Sequence, residues 1–271
     1  MSARSTVLRD SLTMLRRNLR HALRYPSLAL GTLLIPVLIL LLFVGVYGGA
    51  LGAGIGGAHG RASYIAFVAP AIILMAATSG SVSTAVSVAL DMSEGIINRF
   101  RTMPIARASV LTGHVVGSVI QTLASIGLLV GAALLMGFRP SAGAVEWLAA
   151  VGLLTLVTFA LTWLSAGAGM AARSVEAASN LPTPVVLLPL ISSGFVPPAS
   201  MPAGVRWFAE HQPFSPIIET LRGLLTGTPI GNDAVSALAW CVGLTLVGYL
   251  WARAGFNRDP AASRPRTLSR V

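Results

Sequence analysis

Lysine is absent from this 271-residue chain, cysteine occurs once, and charged residues make up only 10%. A soluble domain carries about 25% charge and needs it for a solvated coat. With 54% apolar residues and a mean hydropathy of +0.77, the chain lacks the material for one. Its polar residues gather between long apolar runs, which excludes a soluble enzyme and a disordered chain together. The lack of lysine excludes a P-loop and any Schiff-base or catalytic lysine. If ATP drives this protein, another chain binds it. Cys241 lies inside an apolar run, so there is no disulfide framework and no thiol-rich metal site. No cluster of His, Asp or Glu falls within the apolar runs to suggest a proton relay or a metal. No Ser/Lys, paired-Asp or His-Glu-x-x-His pattern points to intramembrane proteolysis. Neither catalysis nor a cofactor or metal of its own is expected of this chain.

What is present is an integral membrane protein of the all-α class, read as one transmembrane domain over residues 1–271. A helix needs about 20 apolar residues to cross a bilayer. Six stretches qualify, at about 27–47, 62–90, 111–137, 147–170, 181–198 and 234–251. The second and third have length to spare for tilt or extension into water. The fifth is short and carries Pro182, Pro184 and Pro189 before Pro197 and Pro198. Nineteen arginines against nine acids give a net charge of +10. In so apolar a chain this excess suits anionic lipid headgroups, not nucleic acid. An all-arginine bias also hints at a GC-rich, bacterial genome. Positive charge stays cytoplasmic, and a six-span path puts fifteen of the nineteen arginines on the side of both termini. Arg61, Arg139, Arg206 and Arg222 fall on the other. Both ends are therefore expected in the cytoplasm, on a plasma membrane protein. A cleaved signal peptide is not expected, because its apolar core is about 7–15 residues, shorter than the first run, and five more spans follow.

Three segments are unusual. Over residues 8–24, within an interfacial region of about 8–25, Leu8, Leu12, Leu15, Leu19 and Leu23 cluster within about 80° on a helical wheel. Arg9, Arg16, Arg17, Arg20 and Arg24 take the other side, and Tyr25 and Pro26 end the helix. Such a helix lies in the membrane interface. It either anchors topology or also transmits force from a cytoplasmic partner. The second segment, about 91–107, places Asp91 and Glu94 ahead of Arg99, Arg101 and Arg107, with Gly95 between and Pro104 near its end. A plain helix–helix connection needs about 2–8 residues and no such pattern. The segment reads as a short cytoplasmic helix with an apolar edge of Ile96, Ile97 and Phe100, a protrusion that an ATPase could push. The plainer reading is positive-inside charge plus helix caps. The third runs from Asn180 to Gly227, with outer helices at about 199–230. Its eight prolines cannot fit a straight helix, so the chain bends or re-enters there. Glu210, Glu219 and Arg222 lie among Trp207, Phe208 and Phe214 and are expected either at the outer interface or paired, Glu219 and Arg222 being three apart on one helix face. This region is either a structural cap on the outer end or an outer gate, with Phe195, Pro197, Glu219 and Arg222 its candidate residues.

Other features weigh less. Gly52, Gly54 and Gly57 form a literal G-x-G-x-x-G, but they follow a span and open no βαβ unit, so they read as an external linker. Gly113-x-x-x-Gly117 and Gly127-x-x-x-Gly131 in the third span favour close helix contact. Thr78, Ser79, Ser81, Ser83, Thr84 and Ser87 make the second span hydroxyl-rich. They either bond their own backbone or line a pathway, Ser79 and Ser83 being the candidates.

The whole chain resembles the type-2 ABC exporter permeases, close to the daunorubicin/doxorubicin resistance branch. The start that ends in Arg24-Tyr25-Pro26 looks like the family's elbow helix. Glu94, Gly95, Arg99, Arg101, Pro104 and Gly113 look like its coupling segment. Residues 188–198, Met201-Pro202, Pro213 and Leu221-Arg222-Gly223 to Gly227 look like its fifth span and outer helices. Asn98 stands where the family usually has an acid, His114 where it usually has a base, and Gln212 replaces the Asn common before Pro213. The resemblance implies six spans with an N-terminal interfacial helix and short re-entrant outer helices before the sixth. It implies a second permease, identical or paralogous, and separate ABC ATPase subunits that hold ATP and Mg. The expected cargo is an amphipathic drug or lipid-like molecule exported from the cytoplasm or inner leaflet. A polysaccharide or lipid-linked glycan exporter of the same fold is the alternative. A proton-coupled secondary transporter or a non-transporting scaffold is the rival from another class.

Overall fold

A computed structural model describes residues 26–48, 60–93 and 107–257, and among these there is no β-strand. Helix α1 (Pro26–Leu41) continues as a π-helical turn over Leu42–Tyr47. Helices α2 (Gly60–Ser93), α3 (Arg107–Leu135) and α4 (Ala144–Ala171) follow. The next run is broken into α5 (Val175–Asn180), α6 (Thr183–Leu187) and a 3₁₀ turn, Leu188–Ile191. A second 3₁₀ turn (Pro198–Ser200) leads to α7 (Ala203–His211) and α8 (Phe214–Thr226), and α9 (Asp233–Asn257) closes the order.

Four of these are long and apolar enough to cross a membrane: Ala62–Ser93, Thr112–Leu135, Ala144–Ala171 and Asp233–Phe256. They coincide with the second, third, fourth and sixth expected stretches. Shorter apolar helices, Leu34–Tyr47 and Val175–Ile191, stand at the first and fifth. The fifth departs from expectation in its bounds. It begins at Val175, where the Ser174 hydroxyl accepts the Ala177 N–H and caps the first turn, and it is finished by Ile191. Pro182, Pro184 and Pro189 cannot donate to a helical ladder, so regular helix survives only in fragments.

α2 is the centre of the bundle. Of its most apolar stretch 78% is buried, against 17% for α9. Tyr64, Ile65, Ile72, Ile73 and Leu74 are fully enclosed, while Leu238, Val242, Leu246 and Leu250 of α9 face outward. An apolar outer surface suits hydrocarbon, which rewards no polar coat.

Contacts fix the directions of the helices. Gly169 opposes Ala85, and Ser165 opposes Ser81. Partner numbers rise together, so α2 and α4 are parallel. Gly248 meets Leu164, Trp251 meets Gly167 and Gly255 meets Met170, so α9 is parallel to α4. On α3, Ser118 faces Thr84 and His114 faces Asp91, the reverse order of an antiparallel neighbour. Ser93, Arg107, Ala171 and Asn257 therefore lie at one end of the bundle.

Glycine makes the closest approaches. A methyl group at Gly169 would lie 2.5 Å from the Ala85 carbonyl oxygen, and one at Gly248 would lie 2.5 Å from Leu164 N. The expectation for α3 holds only in part. Gly113 and Gly117 are buried, but a methyl group at Gly127 or Gly131 would meet nothing within 4 Å, so neither forms a helix seam among the described residues. Spacing shows that two glycines share a face, not that the face meets a neighbour.

Candidate functional site

The candidate residues fall into separate regions. The interfacial residues Leu12, Leu15, Arg16, Leu19 and Arg20 lie outside the described residues. So do Glu94, Gly95, Arg99, Arg101 and Pro104 of the coupling segment, and most of the glycine linker.

On α2 the hydroxyls serve the bundle. Thr78 donates to Met75 O (2.8 Å), Ser81 to Thr78 O (2.7 Å) and Ser83 to Gly80 O (2.7 Å). Each closes on its own preceding turn, as Ser and Thr do in apolar helices. Two also reach sideways: Ser165 Oγ of α4 donates to Ser81 Oγ (3.2 Å), and Thr84 Oγ1 donates to Ser118 Oγ of α3 (2.6 Å). Ser79 and Ser83 are half-buried beside them.

A cap of short helices is assembled around the broken fifth helix. A chain that leaves helical geometry inside an apolar protein strands its carbonyls, which then need side-chain donors. Gln212 Nε2 donates to Ile191 O (2.8 Å) and Leu188 O (3.3 Å). Ser215 Oγ accepts from Ser193 N (3.2 Å) and donates to Ala209 O. Arg222 on α8 ties three elements. Its Nη1 donates to both oxygens of Glu219 at 2.6 Å. Nη2 reaches Phe67 O of α2 (3.0 Å) and Ser193 O (3.2 Å). The guanidinium also lies 4.1 Å from the centre of the Phe67 ring. Only 8% of Arg222 is exposed, so the cation is accommodated by a carboxylate, two carbonyls and a ring face. Glu219 and Arg222 are thus paired, one of the two placements expected of them.

Phe195 joins the same region from the other side. It is buried and packs at a tilt against Phe43 of the π-helical turn that follows α1, ring centres 4.9 Å apart. Gly194 lets this turn press on α2, where Ala71 leaves no room for a methyl group. Pro197 sits half-buried at the mouth of the next turn, its carbonyl accepting Ser200 N (3.0 Å). Phe195, Glu219 and Arg222 thus converge on the break in the fifth helix. Ser79 and Ser83 do not. They lie further along α2 from Phe67, by about 18–24 Å at 1.5 Å per residue.

At the opposite end of α2, His114 Nε2 donates to Asp91 Oδ2 at 2.9 Å, linking α2 to α3. Sequence reasoning counted both residues without joining them. The available signal was an acid and a histidine on either side of one connection, each about a turn or two from it. Among the described residues no group of three or more His, Cys, Asp or Glu could hold a metal.

Comparison with known proteins agrees with this architecture. A family model described as ABC-2 type transporter matches residues 10–226. The daunorubicin resistance ABC transporter permease protein DrrB1 of Streptomyces coeruleorubidus is 30% identical over 246 residues, covering 90% of this chain and 82% of that protein. The probable doxorubicin resistance ABC transporter permease protein DrrC of Mycobacterium tuberculosis is 25% identical over 191 residues, covering 70% and 69%. The chain is a multi-pass membrane protein that belongs to the ABC-2 type transporter family.

Proposed function

We propose that this chain is the transmembrane permease subunit of an ATP-driven bacterial exporter. It moves an amphipathic drug or lipid-like molecule out of the cytoplasm or inner leaflet of the plasma membrane. The observation that carries this is likeness over nine-tenths of the chain to a permease named for daunorubicin resistance. Its lack of lysine assigns ATP binding to a separate ABC ATPase, and a second permease completes the pathway. The chain crosses the membrane six times with both termini inside. Glu94, Gly95, Arg99, Arg101 and Pro104 receive the ATPase, and Leu12, Leu15, Arg16, Leu19 and Arg20 belong to the interfacial helix. Phe195, Pro197, Glu219 and Arg222 form the outer gate, while Ser79 and Ser83 border the pathway. Relatives named for drug resistance favour a drug over a polysaccharide or lipid-linked glycan.

Cells expressing the chain with an ABC ATPase that co-purifies with it test the assignment. They should retain less doxorubicin than cells carrying the same pair with the ATPase P-loop lysine replaced. Equal retention, with both proteins in the membrane, would overturn the drug assignment.

A further inference from the structure

α2 and α3 meet through polar atoms at successive levels. His114 Nε2 donates to Asp91 Oδ2 (2.9 Å), Thr84 Oγ1 donates to Ser118 Oγ (2.6 Å), and Gly80 leaves room for the Thr122 side chain. Asp91 lies in the last turn of α2 and His114 in the second turn of α3. The stretch 94–106 therefore leaves from and returns to two helices that this pair ties together. Both side chains are withdrawn from water, Asp91 at 11% exposure and His114 at 12%.

A carboxylate and an imidazole lose hydration at such a place, and two apolar side chains would join the helices at lower cost. What the polar pair adds is alignment, because a slip of either helix breaks the 2.9 Å bond and strands the His114 N–H away from water. Alignment matters where a push arriving between two helices has to reach both at once. We propose that Asp91 and His114 are a positioning pair that makes α2 and α3 move as one body. The pair delivers the displacement of the coupling segment to the centre of the bundle and to its neighbour together. This rests on the ATPase-coupled reading above.

The test uses the assembled complex of permease and ATPase in lipid, in a Cys241→Ser background. Spin labels go at Ser87 on α2 and Ile120 on α3, both exposed. The wild-type pair should give one narrow label distance that ATP leaves unchanged. His114→Leu should broaden or split it, and should lower doxorubicin moved per ATP hydrolysed by about tenfold, an ordinary coupling loss. His114→Gln, which keeps a donor, should recover most of that ratio. An unchanged distance and an unchanged ratio in His114→Leu would reduce the pair to packing and overturn the proposal. If His114→Leu does not reach the membrane, a disulfide between Thr84→Cys and Ser118→Cys decides. Transport should survive the cross-link if the helices move together, and loss of transport reversed by reductant would overturn the proposal. A wild-type complex that moves no doxorubicin would overturn the drug assignment instead. The label distances would then still decide the pair.

Discussion

Arg222 holds together more of the cap of short helices than any neighbouring residue, because one guanidinium serves Glu219, Phe67 O and Ser193 O at once. Arg222→Met would leave a carboxylate and two carbonyls without their donor. A stranded buried carbonyl costs about 1–3 kcal/mol, and Glu219, one-third exposed, adds less, so a clear fall in the thermal midpoint of the purified protein is expected. Glu219→Gln should cost much less. Glu219 is one-third exposed, a glutamine oxygen still accepts, and Arg222 keeps both carbonyls. Equal losses in the two variants would contradict the hub. Gln212→Leu makes a separate test of the broken helix. It strands the Leu188 and Ile191 carbonyls, a loss of about 1–3 kcal/mol. A melting temperature unchanged by Gln212→Leu would mean that those carbonyls find other donors.

Between helices, close approach is set by glycine facing backbone. Gly169→Val would drive side-chain atoms into the Ala85 carbonyl, and Gly248→Val into Trp163 and Leu164. Overpacking costs about 1–3 kcal/mol, and backbone yields less readily than side chains, so both variants should unfold well below wild type. Gly127→Val meets nothing among the described residues and should leave the monomer's melting temperature unchanged. These glycines illustrate how far the elements were legible. Run length alone located all four long helices, since only hydrophobicity decides what can cross a bilayer. The prolines at 182, 184 and 189 foretold a break. The pairing of Glu219 with Arg222 was one of two readings of a three-residue spacing on one helix. The destination of the freed carbonyls did not follow, because Gln212 and Arg222 approach from more than 20 residues away. Nor could spacing rank Gly127 below Gly169. A periodicity describes one helix, and a seam belongs to two. Asp91 and His114 escaped notice for the same reason, as did the sideways bonds from Ser81 and Thr84.

At the scale of the molecule, the parallel course of α2, α4 and α9 brings Ser93, Arg107, Ala171 and Asn257 to one end, and the six-span path proposed above puts that end in the cytoplasm. A cysteine introduced at Asn98 should resist an impermeant reagent in intact cells, and one at Ile55 should react, in a Cys241→Ser background. Labelling of position 98 from outside would contradict the six-span path. In the function proposed above, ATP hydrolysed on a partner drives this chain through residues 94–104. Inverted membrane vesicles containing the chain and its ATPase test it most directly, by ATP-dependent uptake of doxorubicin. Uptake should be strong in wild type and abolished by Glu94→Ala and by Gly95→Leu at normal membrane levels. Uptake by either variant at the wild-type rate would contradict the account.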